Sequence, residues 1–298
     1  MQQATLTLDT HARIGQVDRR LAGQFIEVHR DCIYGGIYQP GHPRSNEAGF
    51  RQDLIDELRA LRVPMIRLPG GNYCSNYHWK NGIGPVGQRP RRPEMAWGGV
   101  DTNEVGTDEY LAWAEACGME AALTTNMGTG TPEEAAEWVE YCNLPGGTYY
   151  SDLRRSYGRE QPYGVKTWYV GNEMDGPWQI GNLTAEQYAQ KALHAARMMR
   201  DVDPTIELAL CGSCTPDSPT VMDWDRIVLE ATYDVCDYLS IHSYYPYPGE
   251  AQRNDYLASF RKMDDFIVQI LAACDYVAAK RHSRRRMALA FDEWRSEE

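Results

Sequence analysis

No apolar stretch in this 298-residue sequence approaches the roughly 18 residues that a membrane-spanning helix needs. The N-terminus, Met1-Gln-Gln-Ala-Thr-Leu-Thr-Leu-Asp9, lacks the charged and apolar regions of a secretory signal. Positive charge is short as well: 30 Lys and Arg stand against 42 Asp and Glu, for a net charge of −12. That balance argues against a general nucleic-acid binder, because phosphate backbones recruit basic side chains. The 8 cysteines form no dense framework, so reduced thiols in a cytoplasm are the expectation. Phenylalanine is scarce, with 5 residues against 19 Tyr and 8 Trp. Tyr and Trp join a flat apolar face to a hydrogen-bonding tip, which suits amphiphilic ligands such as sugars as well as ordinary cores.

What is present is an alternation of apolar runs and amphipathic stretches. Thr5–Leu8 and Ile14–Val17 alternate polar and apolar and read as two short strands. Strands are then expected at Leu21–Ile26, Val63–Leu68, Glu120–Thr124, Val165–Val170, Ile206–Leu210, Tyr238–His242 and Met287–Phe291. Between them the apolar spacing predicts helices over Phe50–Leu61, Thr107–Cys117, Thr131–Cys142, Thr184–Val202, Trp224–Ala231 and Asp255–Lys280. Thr131-Pro-Glu-Glu134 and Thr184-Ala-Glu-Gln187 have the form of capping boxes. A long loop, Tyr73 to about Gly106, is rich in Gly, Pro, Trp and Tyr, and loops of that length inside a domain are usually functional.

Strand then helix, repeated, means parallel β with crossovers. A doubly wound sheet is the competing architecture, but the first strand–helix turn has no G-x-G-x-x-G fingerprint. Polar residues fall where a (β/α)8 barrel puts its chemistry, at or just past strand C-terminal ends: Glu27, Arg67, Asn72, Asn126, Asn172, Glu173, His242, Tyr244 and Glu293. The fold class expected is therefore α/β, a TIM-type barrel of which about seven strands are present. Glu173 and Glu293 end the fourth and seventh strands, which converge in a barrel. Two carboxylates facing across a pocket fit glycoside hydrolysis, with about 5–5.5 Å between them for retention and roughly 6.5–9.5 Å for inversion.

At these residues the sequence resembles the α-L-arabinofuranosidases of glycoside hydrolase family 51. The matching stretches are Phe25-Ile-Glu27, Cys32-Ile-Tyr-Gly-Gly-Ile-Tyr38, Ile66-Arg-Leu-Pro-Gly-Gly-Asn72, Trp97 with Thr102-Asn-Glu104, Gly171-Asn-Glu-Met-Asp-Gly-Pro-Trp-Gln-Ile-Gly181, Ser240-Ile-His-Ser-Tyr-Tyr245 and Phe291-Asp-Glu-Trp294. Gly-Asn-Glu alone is shared by a whole clan of retaining barrel glycosidases; the longer string is far more specific. The resemblance implies Glu173 as general acid/base and Glu293 as nucleophile. It implies Glu27, Asn72 and Asn172 on the sugar hydroxyls, Arg67, His242 and Tyr244 supporting the nucleophile, and Trp97 with Asn103 at the rim. The activity implied is exo-acting release of terminal α-L-arabinofuranosyl groups from arabino- and arabinoxylo-oligosaccharides. Neither metal nor organic cofactor is implied, and the full-length family implies a homo-oligomer without nucleic-acid or membrane partners. Related barrel glycosidases and a non-catalytic sugar-binding remnant are the alternatives.

The sequence departs from that family in two places. Val28-His-Arg-Asp31 stands where the family has His-Leu-Gly-Arg, and the chain stops after Arg295-Ser-Glu-Glu298. The expectation is a truncated chain. Residues 1–18 would be strands of an absent C-terminal β-sandwich, and residues 19–298 a catalytic barrel lacking its last strand and helices. Asp175 is expected to be structural. The pair Cys211 and Cys214, the sequon at Asn182 and the basic run Lys280–Arg286 are read as core thiols, a helix cap and a helix C-terminus.

Overall fold

The computed structural model describes residues 5–297. Seven barrel strands run parallel in one sheet, in chain order throughout. They are β1 (Gln24–Phe25), β2 (Met65–Leu68), β3 (Glu120–Thr125), β4 (Thr167–Val170), β5 (Glu207–Cys211), β6 (Tyr238–Pro246) and β7 (Ala288–Glu297). Between them lie α1 (Gln52–Leu61), α2 (Thr107–Cys117), α3 (Pro132–Asn143), α4 (Tyr149–Ser156), α5 (Ala185–Val202), α6 (Asp223–Thr232), α7 (Arg253–Leu257) and α8 (Phe260–Lys280). β1 and β7, at the two ends of the sheet, approach each other without pairing. The sheet is a nearly closed barrel.

The strands are buried on both faces, which is why they read as continuous apolar runs. Outward residues such as Ile66, Leu68, Leu123, Trp168, Val170, Leu239 and Ile241 join the helices in the main core. Inward residues form a second, smaller cluster of Met65, Ala122, Tyr169 and Ala209, with Tyr238 and Ala290 against it. The small inward side chains leave room for Arg67 to cross the interior, its guanidinium 5.2 and 5.1 Å from the Phe25 and Tyr169 ring centroids.

Several boundaries differ from the sequence expectation. Arg19–Ala22 is a 3-10 turn, so the first strand shrinks to two residues. Thr5–Leu8 and Ile14–Val17 pair with nothing among the described residues, and Leu6, Leu8, Ile14 and Val17 are exposed; a strand without a partner has no ladder to form. The stretch expected as one helix from Asp255 breaks at Ala258-Ser259 into α7 and α8. Leu257 and Phe260, read as part of its apolar stripe, are 61% and 60% exposed. Thr131 caps α3 by accepting from the Glu134 amide at 3.1 Å, but the Glu134 carboxylate turns to His78 instead of closing a box. Thr184 and Gln187 do close theirs at the start of α5.

Candidate active site

The C-terminal ends of the strands carry the polar cluster, and local structure explains how each member gets there. After β2 the chain turns through Pro69, Gly70 and Gly71. Gly70 sits at φ +80, and a Cβ there would lie 2.3 Å from the Ile26 carbonyl oxygen; a Cβ on Gly71 would lie 2.5 Å from the Glu27 carboxyl. Only glycines let the β2 turn close on the end of β1. The turn delivers the Tyr73 amide, which donates to Glu27 Oε1 at 2.8 Å. The long loop delivers the second donor to the same oxygen, Trp97 Nε1 at 2.9 Å. Glu94 fixes that tip by accepting from the Ala96 and Trp97 amides, both at 2.7 Å. His29 stacks on Trp97 with 4.0 Å between ring centroids, so the departure at Val28–Asp31 builds a wall of the rim. Burial drives the Glu27 pKa up to about 7, against the pull of these two hydrogen bonds.

Glu173 follows β4 in the left-handed region, at φ 47, a conformation uncommon outside glycine and asparagine. Its Oε2 accepts from Trp178 Nε1 at 2.7 Å, and its Oε1 lies 3.0 Å from His242 Nδ1. Glu293, on β7, accepts from an Arg67 Nη2 and from the Tyr244 hydroxyl. Single oxygens of Glu173 and Glu293 and the His242 ring nitrogen lie within 4.8 Å of one another. Arg67 Nη1 also donates to Asn172 Oδ1 at 3.2 Å and to Thr124 Oγ1 at 3.4 Å. Asn172 in turn donates to Asn72 Oδ1 at 3.3 Å.

Burial alone would strip a proton from His242. The fields of Glu293 and Asp292, and hydrogen bonds to Asp292 and Glu173, hold its pKa well above the ordinary histidine value. That direction favours the doubly protonated ring, with Nδ1 toward Glu173 and Nε2 toward Asp292. Three donor atoms this close could in principle surround a cation, but Arg67 and His242 already supply the positive charge among these acids. Tyr244, beside Glu293, has its phenol pKa pushed up, first by burial and then by that carboxylate.

Thus Glu27, Arg67, Asn72, Asn172, Glu173, His242, Tyr244, Glu293 and Trp97 share one end of the barrel. Two expectations move. Asn103 is 1% exposed, and its Nδ2 donates to the Pro90 carbonyl at 2.7 Å; it braces the long loop from inside instead of lining the rim. Asn126 holds the Tyr77 carbonyl and Thr129 and is likewise a brace. Asp175 accepts from the Cys214 amide at 3.1 Å, a brace for the loop after β5. Cys211 and Cys214 are free and buried. Sequence reasoning missed Trp178 and Asp292. Both lay inside motifs singled out for other residues, and only Trp178, an aromatic at a Gly-Pro turn, carried a signal of its own.

Residues 57–264 match the family model for the alpha-L-arabinofuranosidase 1 domain. The chain belongs to that family. Among curated arabinofuranosidases it is 49% identical over 296 residues to an intracellular exo-alpha-(1->5)-L-arabinofuranosidase of Bacillus subtilis, covering 99% of this chain and 59% of that protein. An exo-alpha-(1->6)-L-arabinofuranosidase of Bifidobacterium longum is 42% identical, covering 99% and 57%. A solved family 51 alpha-L-arabinofuranosidase from Bifidobacterium longum superimposes with a TM-score of 0.94 at 40% identity, over 97% of this chain and 58% of that one. The Thermotoga maritima alpha-L-arabinofuranosidase, solved as an arabinose complex, gives 0.84 at 41%, over 92% and 55%. The chain therefore spans somewhat more than half the length of these arabinofuranosidases, and the barrel architecture is the part they share with it.

Proposed function

We propose that this chain is the catalytic barrel of a retaining, exo-acting α-L-arabinofuranosidase that releases terminal non-reducing α-L-arabinofuranosyl groups from arabino- and arabinoxylo-oligosaccharides. The observation that carries the reading is that single oxygens of Glu173 and Glu293 lie within 4.8 Å of each other, an approach that suits a nucleophile better than the wider pair of an inverting site. Glu293, paired with Arg67 and oriented by Tyr244, attacks the anomeric carbon as Glu173 gives its proton to the leaving oxygen. The covalent glycosyl-enzyme is then hydrolysed by a water that Glu173 deprotonates; two inversions give net retention. Glu27, Asn72 and Asn172 hydrogen-bond the furanose hydroxyls, Trp97 walls the rim, and the His242 imidazolium supports both carboxylates.

The test is hydrolysis of an aryl α-L-arabinofuranoside followed by NMR. α-Arabinofuranose should appear first, and turnover should exceed that on the aryl xyloside and glucoside. With azide, Glu173→Ala should yield the α-azide and Glu293→Ala the β-azide, because each residue governs a different inversion. First appearance of the β-sugar, or full activity in both variants, overturns the reading. A cytoplasmic location fits the word intracellular in the names of several relatives and the eight free thiols. Among the described residues no helix is long and apolar enough to cross a membrane. Light scattering on the purified protein checks the expected homo-oligomer.

A further inference from the structure

Inward and outward residues alternate along β7. Leu289 and Phe291 pack against the outer core, and Ala290 against the inner cluster. By that period Asp292 faces the interior and Glu293 should face away. The ladder with β6 breaks the rule: Ile241 pairs with Phe291, but His242 pairs with Glu293. One extra residue on β7 is a β-bulge, and it brings two consecutive acids to the same face. Asp292 uses that position fully. Its Oδ2 lies 3.0 Å from Arg67 Nε, an ionic contact whose angle misses hydrogen-bond alignment, and 3.4 Å from His242 Nε2. Its Oδ1 accepts from Ser240 Oγ at 2.6 Å.

We propose that Asp292 is a positioning residue whose carboxylate, admitted by the bulge, locks the backs of Arg67 and the His242 ring so that their front faces present Glu293 and Glu173 to the substrate. The inference rests on the proposed glycosidase reading and deepens it. Each cation is gripped from two sides: Arg67 by Asp292 and Glu293, and His242 by Asp292 and Glu173. Around the His242 ring stand Glu173 from the end of β4, Asp292 and Glu293 from β7 and Ser240 from β6, with Arg67 and Tyr244 against those acids. The Cys211 and Cys214 thiols of β5 and its exit loop line the same small cavity. Of these, Asp292 is the acid that reaches Nε2, at 3.4 Å, beside the Ser240 hydroxyl at 3.3 Å, and it supplies the negative charge on that side of the ring. Asp292 is itself ionised: burial raises its pKa, but Arg67 and His242 bring it below the usual carboxylate value.

Asp292→Asn keeps the shape and removes the charge. In the ¹⁵N-histidine NMR spectrum of the wild-type protein, His242 should stay doubly protonated through neutral pH. In D292N its titration should move down by at least about one pH unit. The basic limb of kcat/KM on an aryl arabinofuranoside should move down with it, with kcat lower on the order of 10²-fold. An unmoved His242 titration, or a uniform loss of activity with the wild-type pH profile, reduces Asp292 to a structural residue and overturns the proposal. If D292N does not fold, Asp292→Glu keeps the charge but moves the carboxylate off its contacts with Arg67 Nε and His242 Nε2. It should move both readouts in the same direction by less, and an unmoved His242 titration there overturns the proposal equally. The NMR readout needs no turnover. A wild-type protein inactive on arabinofuranosides, with the His242 shift present, overturns the glycosidase reading and leaves the role of Asp292 in fixing His242 standing.

Discussion

Glu27 is the acid at this site whose burial is least compensated by charge. It accepts two hydrogen bonds from neutral donors, and its pKa rises from 4.5 to about 7, chiefly through burial. The sign follows from proton counting. Between those values the folded protein binds more protons at Glu27 than the unfolded chain, so stability falls as pH rises through the window and is flat above it. At one unit per 1.36 kcal/mol, the loss is at most about 3 kcal/mol. Glu27→Gln removes the titration, so the melting temperature of E27Q relative to wild type should climb by several degrees between pH 5 and pH 8. A difference constant with pH would mean that Glu27 ionises normally. Arg67 presents the opposite case, a fully enclosed cation whose fork serves Glu293, Asn172 and Thr124 at once. A lysine keeps the charge and loses the fork. Arg67→Lys should lower kcat/KM on the order of 10²-fold with the enzyme still folded by circular dichroism.

Elements bring these residues together, and the turn after β2 is the tightest of them. A methyl at position 71 would meet the Glu27 carboxyl at 2.5–2.6 Å, so Gly71→Ala should push Glu27 off the Tyr73 amide. The expected cost is about 1–3 kcal/mol together with a raised KM; loss of stability without any change in KM would place the strain elsewhere. Most elements were legible because local chemistry marked them. Thr184 and Gln187 announce α5, and Pro132 after Thr131 announces α3. α4 was not legible, because its buried face is polar. Arg154 is 0% exposed and donates to the Tyr141 and Leu144 carbonyls at 2.7 Å, feeding the C-terminal end of α3 where a sequence reader looks for leucines. The site was legible to the same degree. Glu173, Glu293 and their neighbours were marked by standing just past the ends of apolar runs, where a parallel barrel puts its polar residues. Asp292 and Glu293 cannot both face inward on a regular strand, and the bulge that admits both is a property of the β6–β7 register rather than of either sequence.

At the scale of the whole molecule, the alternation of strands and helices follows from apolar runs, whereas the ties across the barrel join residues far apart in sequence and leave no local trace. At the proposed catalytic end Arg67 on β2 reaches Asp292 and Glu293 on β7. At the opposite end Arg20, just before β1, reaches across to the starts of β5 and β6. Its Nη1 is 3.0 Å from Glu207 Oε2, which also accepts from the Tyr238 hydroxyl at 2.9 Å, and its guanidinium lies 5.5 Å from the centroid of that ring. Because β1 pairs only with β2 among the described strands, this second tie bears on whether the two-residue strand stays docked. Arg20 is partly exposed and also pairs locally with Asp18, so the tie is worth only about 1 kcal/mol. In a chain of this size that amounts to roughly 2–4 °C in melting temperature. Arg20→Ala should lose that much, quicken amide exchange at Gln24 and Phe25, and leave kcat/KM nearly unchanged, since the catalytic end keeps its own tie. If melting falls while exchange at Gln24 and Phe25 stays slow, the local Asp18 pair carries the stability and the barrel is held shut from the catalytic end alone.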